Sequence, residues 1–334
     1  MLVSIIMKSI LSHKFENIIS VSNLLEAWQE FIKGKRNKKD IQVFSFNLMD
    51  NILSLHNDLK NHTYKHGGYQ CFKISDPKPR TIHKASVRDR LLHRAVYRIL
   101  YPFFDKIFIP YSFSCRNNKG THKAINKFRS FAYTVSKNNT KTCWVLKCDI
   151  KKFFASVDQN TLIEILQKNI DNENIINLLK EIIFSFKLNG LPLGNLTSQL
   201  FANIYLNELD QFVKHKLRAK HYIRYADDFV ILSENKEHLE YIILKIKYFL
   251  PNILELELHP NKVSVKTFSS GIDFLGWINF SDHRILRTKT RKRMLGKMKG
   301  SSNVETLNSY LGLLKHGNSC MVINKILDSF LYGY

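Results

Sequence analysis

Residues 221–232 read HYIRYADDFVIL, two runs of strand-forming residues on either side of paired aspartates. Tyr, Ile, Phe and Val suit a pleated, half-buried surface, whereas Asp favours turns. The stretch therefore predicts a β-hairpin with Asp227 and Asp228 at its tip. A turn preference would explain an isolated Asp-Asp pair. A third acid changes that reading. In TCWVLKCDI, residues 142–150, Trp144, Leu146, Cys148 and Ile150 alternate with Val145, Lys147 and Asp149. That alternation predicts a strand ending in a carboxylate. If strand and hairpin are neighbours, three carboxylates converge.

Like charges so close resist joint ionisation. A divalent cation removes the conflict, and carboxylate oxygens suit Mg²⁺, which keeps waters and accepts phosphate oxygens as further ligands. Two such ions about 3.5–4 Å apart can activate an attacking hydroxyl and stabilise the leaving oxygen of an in-line displacement. The composition agrees. The 334 residues carry 51 Lys and Arg against 28 Asp and Glu, a net charge of +23. A polyanion is the expected partner, nucleic acid before an anionic membrane. Two basic runs stand out: KGKRNKK, Lys33 to Lys39, and RILRTKTRKRMLGKMKG, Arg284 to Gly300, which contains no acid.

No apolar run approaches the roughly 20 residues of a membrane span. The start, MLVSIIMKSIL, has too short an apolar core for a secretion signal and no small-residue cleavage site; Met7 is an alternative start. Five cysteines without a CxxC pattern read as reduced, mostly buried thiols of a cytoplasmic protein. Apolar spacing predicts helices over Val87–Phe104, over 197–217 with Thr197 or Ser198 as N-cap, and over 236–250, closed by Pro251. Short strands are expected around LELEL, 254–258, and KVSVKTF, 262–268, and a basic helical lobe over the last fifty residues. The order of strand, helix, hairpin, helix, strand defines an α+β class.

These residues carry a family resemblance. Tyr225-Ala226-Asp227-Asp228 resembles the YxDD box of reverse transcriptases, and CDIKKFFASVD, 148–158, the first palm motif. GLPLGNLTSQLFANIYLNELD, 190–210, is similar to the next palm motif; LELHPNKVSV, 256–265, and GIDFLGW, 271–277, resemble the later palm strands and primer grip. DPKPRTIHKASVRDRLLHRAV, 76–96, and SFSCRNNKGTHKAI, 112–125, resemble the fingers blocks of bacterial members. The boxes follow one another in family order over roughly residues 70 to 280, and together they are far more specific than any one. Gly194 follows Leu193 where most members have Gln, and Gln199 follows Ser198 where most have Pro. This form resembles the reverse transcriptases of diversity-generating retroelements.

The resemblance implies a right-hand polymerase fold: fingers, a ferredoxin-like palm (an antiparallel sheet with helices on one face) and a short helical thumb. The expected divisions are 1–140 for the N-terminal region and fingers, 141–280 for the palm, with 161–189 an insertion of fingers or palm, and 281–334 for the thumb. It implies an RNA-directed DNA polymerase that copies a template RNA into cDNA, error-prone at template adenines, for mutagenic retrohoming. Asp149, Asp227 and Asp228 are the expected catalytic metal ligands, with Ile150 adding a backbone ligand, for two Mg²⁺ ions or Mn²⁺ in their place. Lys73, Arg80, Arg116, Lys151, Phe154, Leu193, Gly194, Gln199 and Tyr225 would surround the incoming dNTP, Phe154 as the gate against a ribose 2′-hydroxyl. Arg287, Lys289, Arg291, Lys292, Arg293 and Lys297 would hold the RNA/DNA primer-template backbone. A small basic accessory protein oligomer is the implied protein partner, with no membrane, in the cytoplasm of a bacterial, archaeal or phage-infected cell. Two alternatives stand. One is another bacterial reverse transcriptase, of phage-defence, retron or intron type; no retron Val-Thr-Gly signature is visible, and the chain stops soon after the thumb, short of the DNA-binding and endonuclease parts of many intron proteins. The other is a non-catalytic RNA-binding protein on a polymerase fold.

Overall fold

The computed structural model describes residues 10–75, 78–298 and 303–332. Residues 1–9 of the opening stretch, Asp76 and Pro77 of the first fingers block, and the end of the second basic run at 299–300 lie outside the described residues. The chain forms two compact units, each assembled from three segments. One takes 1–110, 150–216 and 247–258; the other takes 111–149, 217–246 and 259–334. The described strands are β1 (Tyr69–Ile74), β2 (Arg80–Ala85), β3 (Trp144–Asp149), β4 (His221–Tyr225), β5 (Asp228–Ser233), β6 (Ser264–Thr267), β7 (Ile272–Phe274), β8 (Trp277–Asn279) and β9 (Arg284–Leu286).

The first unit is mainly helical. The 21-residue helix Val87–Ile107 is its spine, begun by Ser86, whose hydroxyl accepts from the Asp89 amide. It buries Leu91, Leu92, Ala95, Val96 and Leu100, the i, i+4 spacing of one face, and packs against the helices Val21–Phe31 and Leu196–Gln211. The hairpin β1–β2 is antiparallel, with Lys73 opposite Thr81 and Ile74 opposite Arg80. The helices Gln159–Gln167 and Glu173–Phe184 start on Asp158 and Asn172, whose side chains accept from amides three residues on.

The second unit is built on an antiparallel sheet of order β4-β5-β3-β6. A short strip, Tyr111–Phe113, runs beside β4: the Arg224 amide donates to the Tyr111 carbonyl at 3.0 Å, and the Phe113 amide to the Arg224 carbonyl at 2.9 Å. On one face of the sheet, Val145, Val230, Leu232 and Ile223 pack with Ala124, Phe128, Phe131, Ala132 and Val135 of the helix Thr121–Val135. The opposite face is buried too, at Leu146, Cys148, Tyr222, Phe229 and Ile231. The sheet is therefore covered on both faces, not one, as the unbroken apolar run FVIL requires. A second sheet, β7-β8-β9, adjoins a cluster around Trp277, Leu286, Met294, Met298 and Leu314, which gathers the C-terminal helices Thr288–Met298, Val304–Leu314 and Cys320–Tyr332.

Several local expectations are corrected. The Leu196–Gln211 helix starts one residue before Thr197: Asn195 is the cap residue, and its amide nitrogen is spent on the His83 carbonyl at 2.9 Å. That helix passes at Phe212–Lys216 into a π-helical turn. Pro251 does not close its helix, which runs from Lys236 to Leu254 with the proline in its last turn. LELEL forms no strand beyond a single bridge between Leu258 and Ile150, whereas KVSVKTF supplies β6. Only Cys143 and Cys148 are buried; Cys71, Cys115 and Cys320 are exposed, and all five are free thiols. Among the described residues no helix is long and apolar enough to cross a membrane.

Gly190 shows how tightly the first unit closes around the segment after Asp149. Its φ is +87°, and a Cβ there would lie 2.1 Å from the Phe154 carbonyl oxygen. Left-handed strain and overpacking each cost about 1–3 kcal/mol. Gly190→Ala should therefore lower unfolding stability by at least about 2 kcal/mol in urea denaturation, whereas substitution at Gly312, with open space around it, should have little steric cost.

Candidate active site

The hairpin β4–β5 turns through only two residues, Ala226 and Asp227, between the paired residues Tyr225 and Asp228. Ala226 holds a left-handed φ of 53° without being glycine. Such strain persists only where its surroundings impose it. Arg224 supplies part of that surrounding: it is fully buried, and its guanidinium donates to the Ala226 carbonyl at 3.2 Å. Of the acid pair, Asp227 lies in the turn and Asp228 opens β5, so they are not equivalent.

Asp149, the last residue of β3, stands in register directly opposite Asp228. Residues opposite one another in an antiparallel pair bring their Cβ atoms within about 5.5 Å and share a face. On this face the apolar residues Val145, Val230 and Leu232 give way to Lys147, Asp149 and Asp228 at the turn end. Two lysines approach the acids. Lys262 lies 2.9 Å from Asp149 Oδ1, brought there by a turn in which the His259 amide donates to the Asp149 carbonyl and the Lys262 amide to the His259 carbonyl. Lys147 Nζ lies 3.6 Å from Asp228 Oδ2. Burial pushes the Asp228 carboxyl up to about 7, with Asp149, Asp227 and Asp273 adding to the rise and Lys147 opposing it.

Among the described residues no three His, Cys, Asp or Glu side chains form a ready-made metal cage. The fit to a cation rests on Asp228, whose Oδ1 is buried with no hydrogen-bond donor, beside acids already drawing ammonium groups. An oxygen-lined site of this kind suits a hard divalent ion whose remaining ligands come from water or substrate phosphate.

The other expected site residues divide between the units. In the second, Tyr225 accepts from the Thr121 hydroxyl at 3.2 Å, and Arg116 donates to the Ser112 carbonyl at 3.1 Å. Arg287 is engaged by Asp273, its Nε donating at 2.8 Å. Lys289, Arg291, Lys292, Arg293 and Lys297 lie on the Thr288–Met298 helix, which buries Met294 and Met298. In the first unit, Ile150 is buried, and exposed Lys151 pairs with Glu257 at 2.9 Å. Phe153 is buried, and Phe154 beside it is partly buried. Leu193 and Gly194 run along β2: the His83 amide donates to the Leu193 carbonyl at 2.9 Å, and a Cβ at Gly194 would meet the Ile82 side chain at 2.6 Å. Arg80 shares the Ile82 face of its hairpin and Lys73 projects from the other face, so the structure does not bring these two together on one face. Gln199 is exposed on the Leu196–Gln211 helix. Sequence reading missed Arg224 and Lys262 as parts of the site. An arginine inside an otherwise apolar strand was the visible signal for the first; nothing in the composition marks the second.

With this geometry in place, comparison with known proteins is decisive for the class. Residues 65–279 match the reverse transcriptase (RNA-dependent DNA polymerase) family, and the chain belongs to that family. It is 26% identical over 313 residues to the group II intron-encoded protein LtrA of Lactococcus lactis subsp. cremoris, covering 72% of this chain and 50% of that protein. It is 25% identical over 258 residues to protein YkfC of Escherichia coli, covering 65% and 66%. It is 25% identical over 202 residues to the retron Ec73 reverse transcriptase of Escherichia coli, covering 53% and 62%. The chain thus spans between half and two thirds of these relatives' lengths. In fold it is similar to telomerase from Candida albicans, with a TM-score of 0.51 at 12% identity over 80% of this chain and 56% of that one.

The buried acid has a measurable consequence. The folded Asp228 carboxyl holds its proton up to about pH 7, whereas an unperturbed aspartate releases it near 3.8. The folded state therefore binds more protons in that window, and this group's contribution falls as pH rises through it. Asp228→Asn should flatten that loss, so the stability difference between variant and wild type, measured by denaturation in chelator, should grow from pH 4 to pH 7.

Proposed function

We propose that this protein is an RNA-directed DNA polymerase whose reaction centre is the Asp149, Asp227 and Asp228 corner. The observation that carries the reading is the register that sets Asp149 opposite Asp228, with one Asp228 oxygen buried and lacking a donor. In this reading the primer 3′-hydroxyl attacks the α-phosphate of a dNTP and pyrophosphate leaves; positioning and charge neutralisation supply most of the rate. Asp149 and Asp228, with Asp227 in the turn and the Ile150 backbone, would hold divalent cations, Mg²⁺ or Mn²⁺. Such ions, when bound, neutralise the triphosphate and favour the ionised hydroxyl.

The first unit then serves as fingers with part of the palm, and the second as the catalytic palm sheet with the thumb. Arg80, Lys73 and Lys151 would contact the triphosphate, Arg116 and Tyr225 the nucleotide or template. Phe154, partly buried beside a buried neighbour, would stand against a ribose 2′-hydroxyl. The basic helix from Thr288 would track the primer-template backbone without reading sequence.

The finer reading is mutagenic copying of a template RNA in a diversity-generating retroelement, working with a small basic accessory protein in the cytoplasm. It is supported by Leu193 and Gln199 at the positions where most family members carry Gln and Pro. Leucine lacks the polar contact a glutamine would make only to a correct pair, so the energy gap between right and wrong nucleotides shrinks. A second reading, an intron- or retron-type enzyme, is favoured by the similarity to LtrA and to the retron Ec73 enzyme.

The general reading is tested by extension of a DNA primer on an RNA template. Chelation should abolish it, and Asp149→Asn or Asp228→Asn should each lower the rate about 10²–10³-fold or more, the scale for losing one preorganised charge-stabilising group. Full activity in either variant would refute the assignment. For the finer reading, sequenced cDNA should show errors concentrated at template adenines, and Leu193→Gln should reduce them. Errors spread evenly over the four bases would favour the intron or retron type.

A further inference from the structure

Lys147 lies two residues before Asp149 on β3 and shares its face of the sheet. Its register neighbours are Val230 and Ser264, and Val145 and Ile223 lie close on the same face. A lysine only 19% exposed on such a face must find partners, because burying an unpaired ammonium is costly. It has two. Nζ donates to the Asp273 carbonyl at 2.6 Å, and it stands 3.6 Å from Asp228 Oδ2. Asp273 belongs to β7, and its carboxylate is gripped by Arg287. Arg287 in turn leads into the basic helix: its carbonyl accepts from the Arg291 amide at 3.0 Å.

The two oxygens of Asp228 are thus treated differently. Oδ2 faces an ammonium, whereas Oδ1 is buried with no donor. We propose that Lys147 is a positioning residue that holds Asp228 through Oδ2 and so sets the orientation in which that carboxylate meets a divalent cation. By anchoring the same ammonium on the β7 backbone, it fixes that carboxylate relative to the strand leading to the basic helix. The inference rests on the reading of the acid corner as a cation site, and it assigns a lysine, not an acid, to fixing the geometry of one ligand.

Lys262 offers a contrast. It also meets one of the acids, Asp149, but from an exposed turn, with 44% of its side chain accessible. A flexible ammonium that can leave is a counter-ion, whereas one bonded to a strand carbonyl is a strut.

The test is Mn²⁺ binding to the full chain without nucleotide, read from the electron paramagnetic resonance signal of free Mn²⁺, alongside primer extension. Lys147→Met keeps the stem and removes the charge; Lys147→Arg keeps the charge and a donor. Loss of a group that orients a metal ligand weakens affinity or activity by about 10–100-fold. The methionine variant should bind Mn²⁺ at least about 10-fold more weakly and lose kcat by a similar factor, with the KM for dNTP little changed. The arginine variant should recover most of both. A thermal melt separates this from unfolding; should the methionine variant not fold, the proposal stands or falls on Lys147→Gln read in the same way. Wild-type Mn²⁺ affinity in a folded, charge-free variant overturns the proposal, as does a loss of binding that arginine does not restore. If wild type binds Mn²⁺ with this dependence on Lys147 but extends no primer, the polymerase reading fails and the positioning role survives. If wild type extends primers and the variants bind and react as it does, the reverse holds.

Discussion

The structure depends on one unfavourable pairing: two aspartates directly opposite each other across antiparallel strands. Like charges in that position destabilise a sheet, and a slip of one residue would remove the conflict. The slip is prevented elsewhere. On one face of the strands Val145, Val230, Leu232 and Ile223 pack against the Thr121–Val135 helix, and on the other Leu146, Phe229 and Ile231 are buried as well. Moving the register by one would send every side chain of one strand to the wrong face. The apolar sheet therefore fixes where the acids meet, and the acids do not have to stabilise their own arrangement.

The turn beside them follows the same logic. Ala226 occupies a backbone region that favours glycine, and a fully buried Arg224 donates to its carbonyl. Neither choice helps the fold locally. Both are sustained by strands β4 and β5 and by the Tyr111–Phe113 strip bonded to Arg224 on both sides. Strain and a buried cation gather at the one turn that carries Asp227, and the surrounding sheet is large enough to hold them there.

The fold was legible in the sequence wherever period and side-chain type agreed. The alternation in TCWVLKCDI and the paired runs around Ala226-Asp227 gave β3, β4 and β5 nearly to the residue. Legibility failed where a backbone group found an unforeseen partner. Pro251 reads as a helix end, yet it sits in the last turn of a helix that Leu254 completes. Asn195, not Thr197 or Ser198, precedes the next motif's helix, and its side chain caps no helix amide but bonds across to the His83 carbonyl. Within the site the acids were legible, since paired carboxylates are conspicuous. The lysines that meet them were not: alternation puts Lys147 on the Asp149 face, but only the structure shows its ammonium reaching Asp228 and the β7 backbone.

The charge of +23 pointed to a polyanion, but total charge does not say which cations are available to it. Many are already committed. Arg98 pairs with Glu26 and Glu30, Arg88 with Asp58, Arg90 and Lys84 with Asp40, and Arg287 with Asp273. Lys147 and Lys262 serve the acid corner. The helix from Thr288 to Met298 differs in composition, holding five basic residues and no acid in its own sequence. Arg287, at the start of that helix, grips Asp273 in β7, and Lys147 joins the β7 backbone to Asp228. The basic helix and the acid corner are thereby linked through β7.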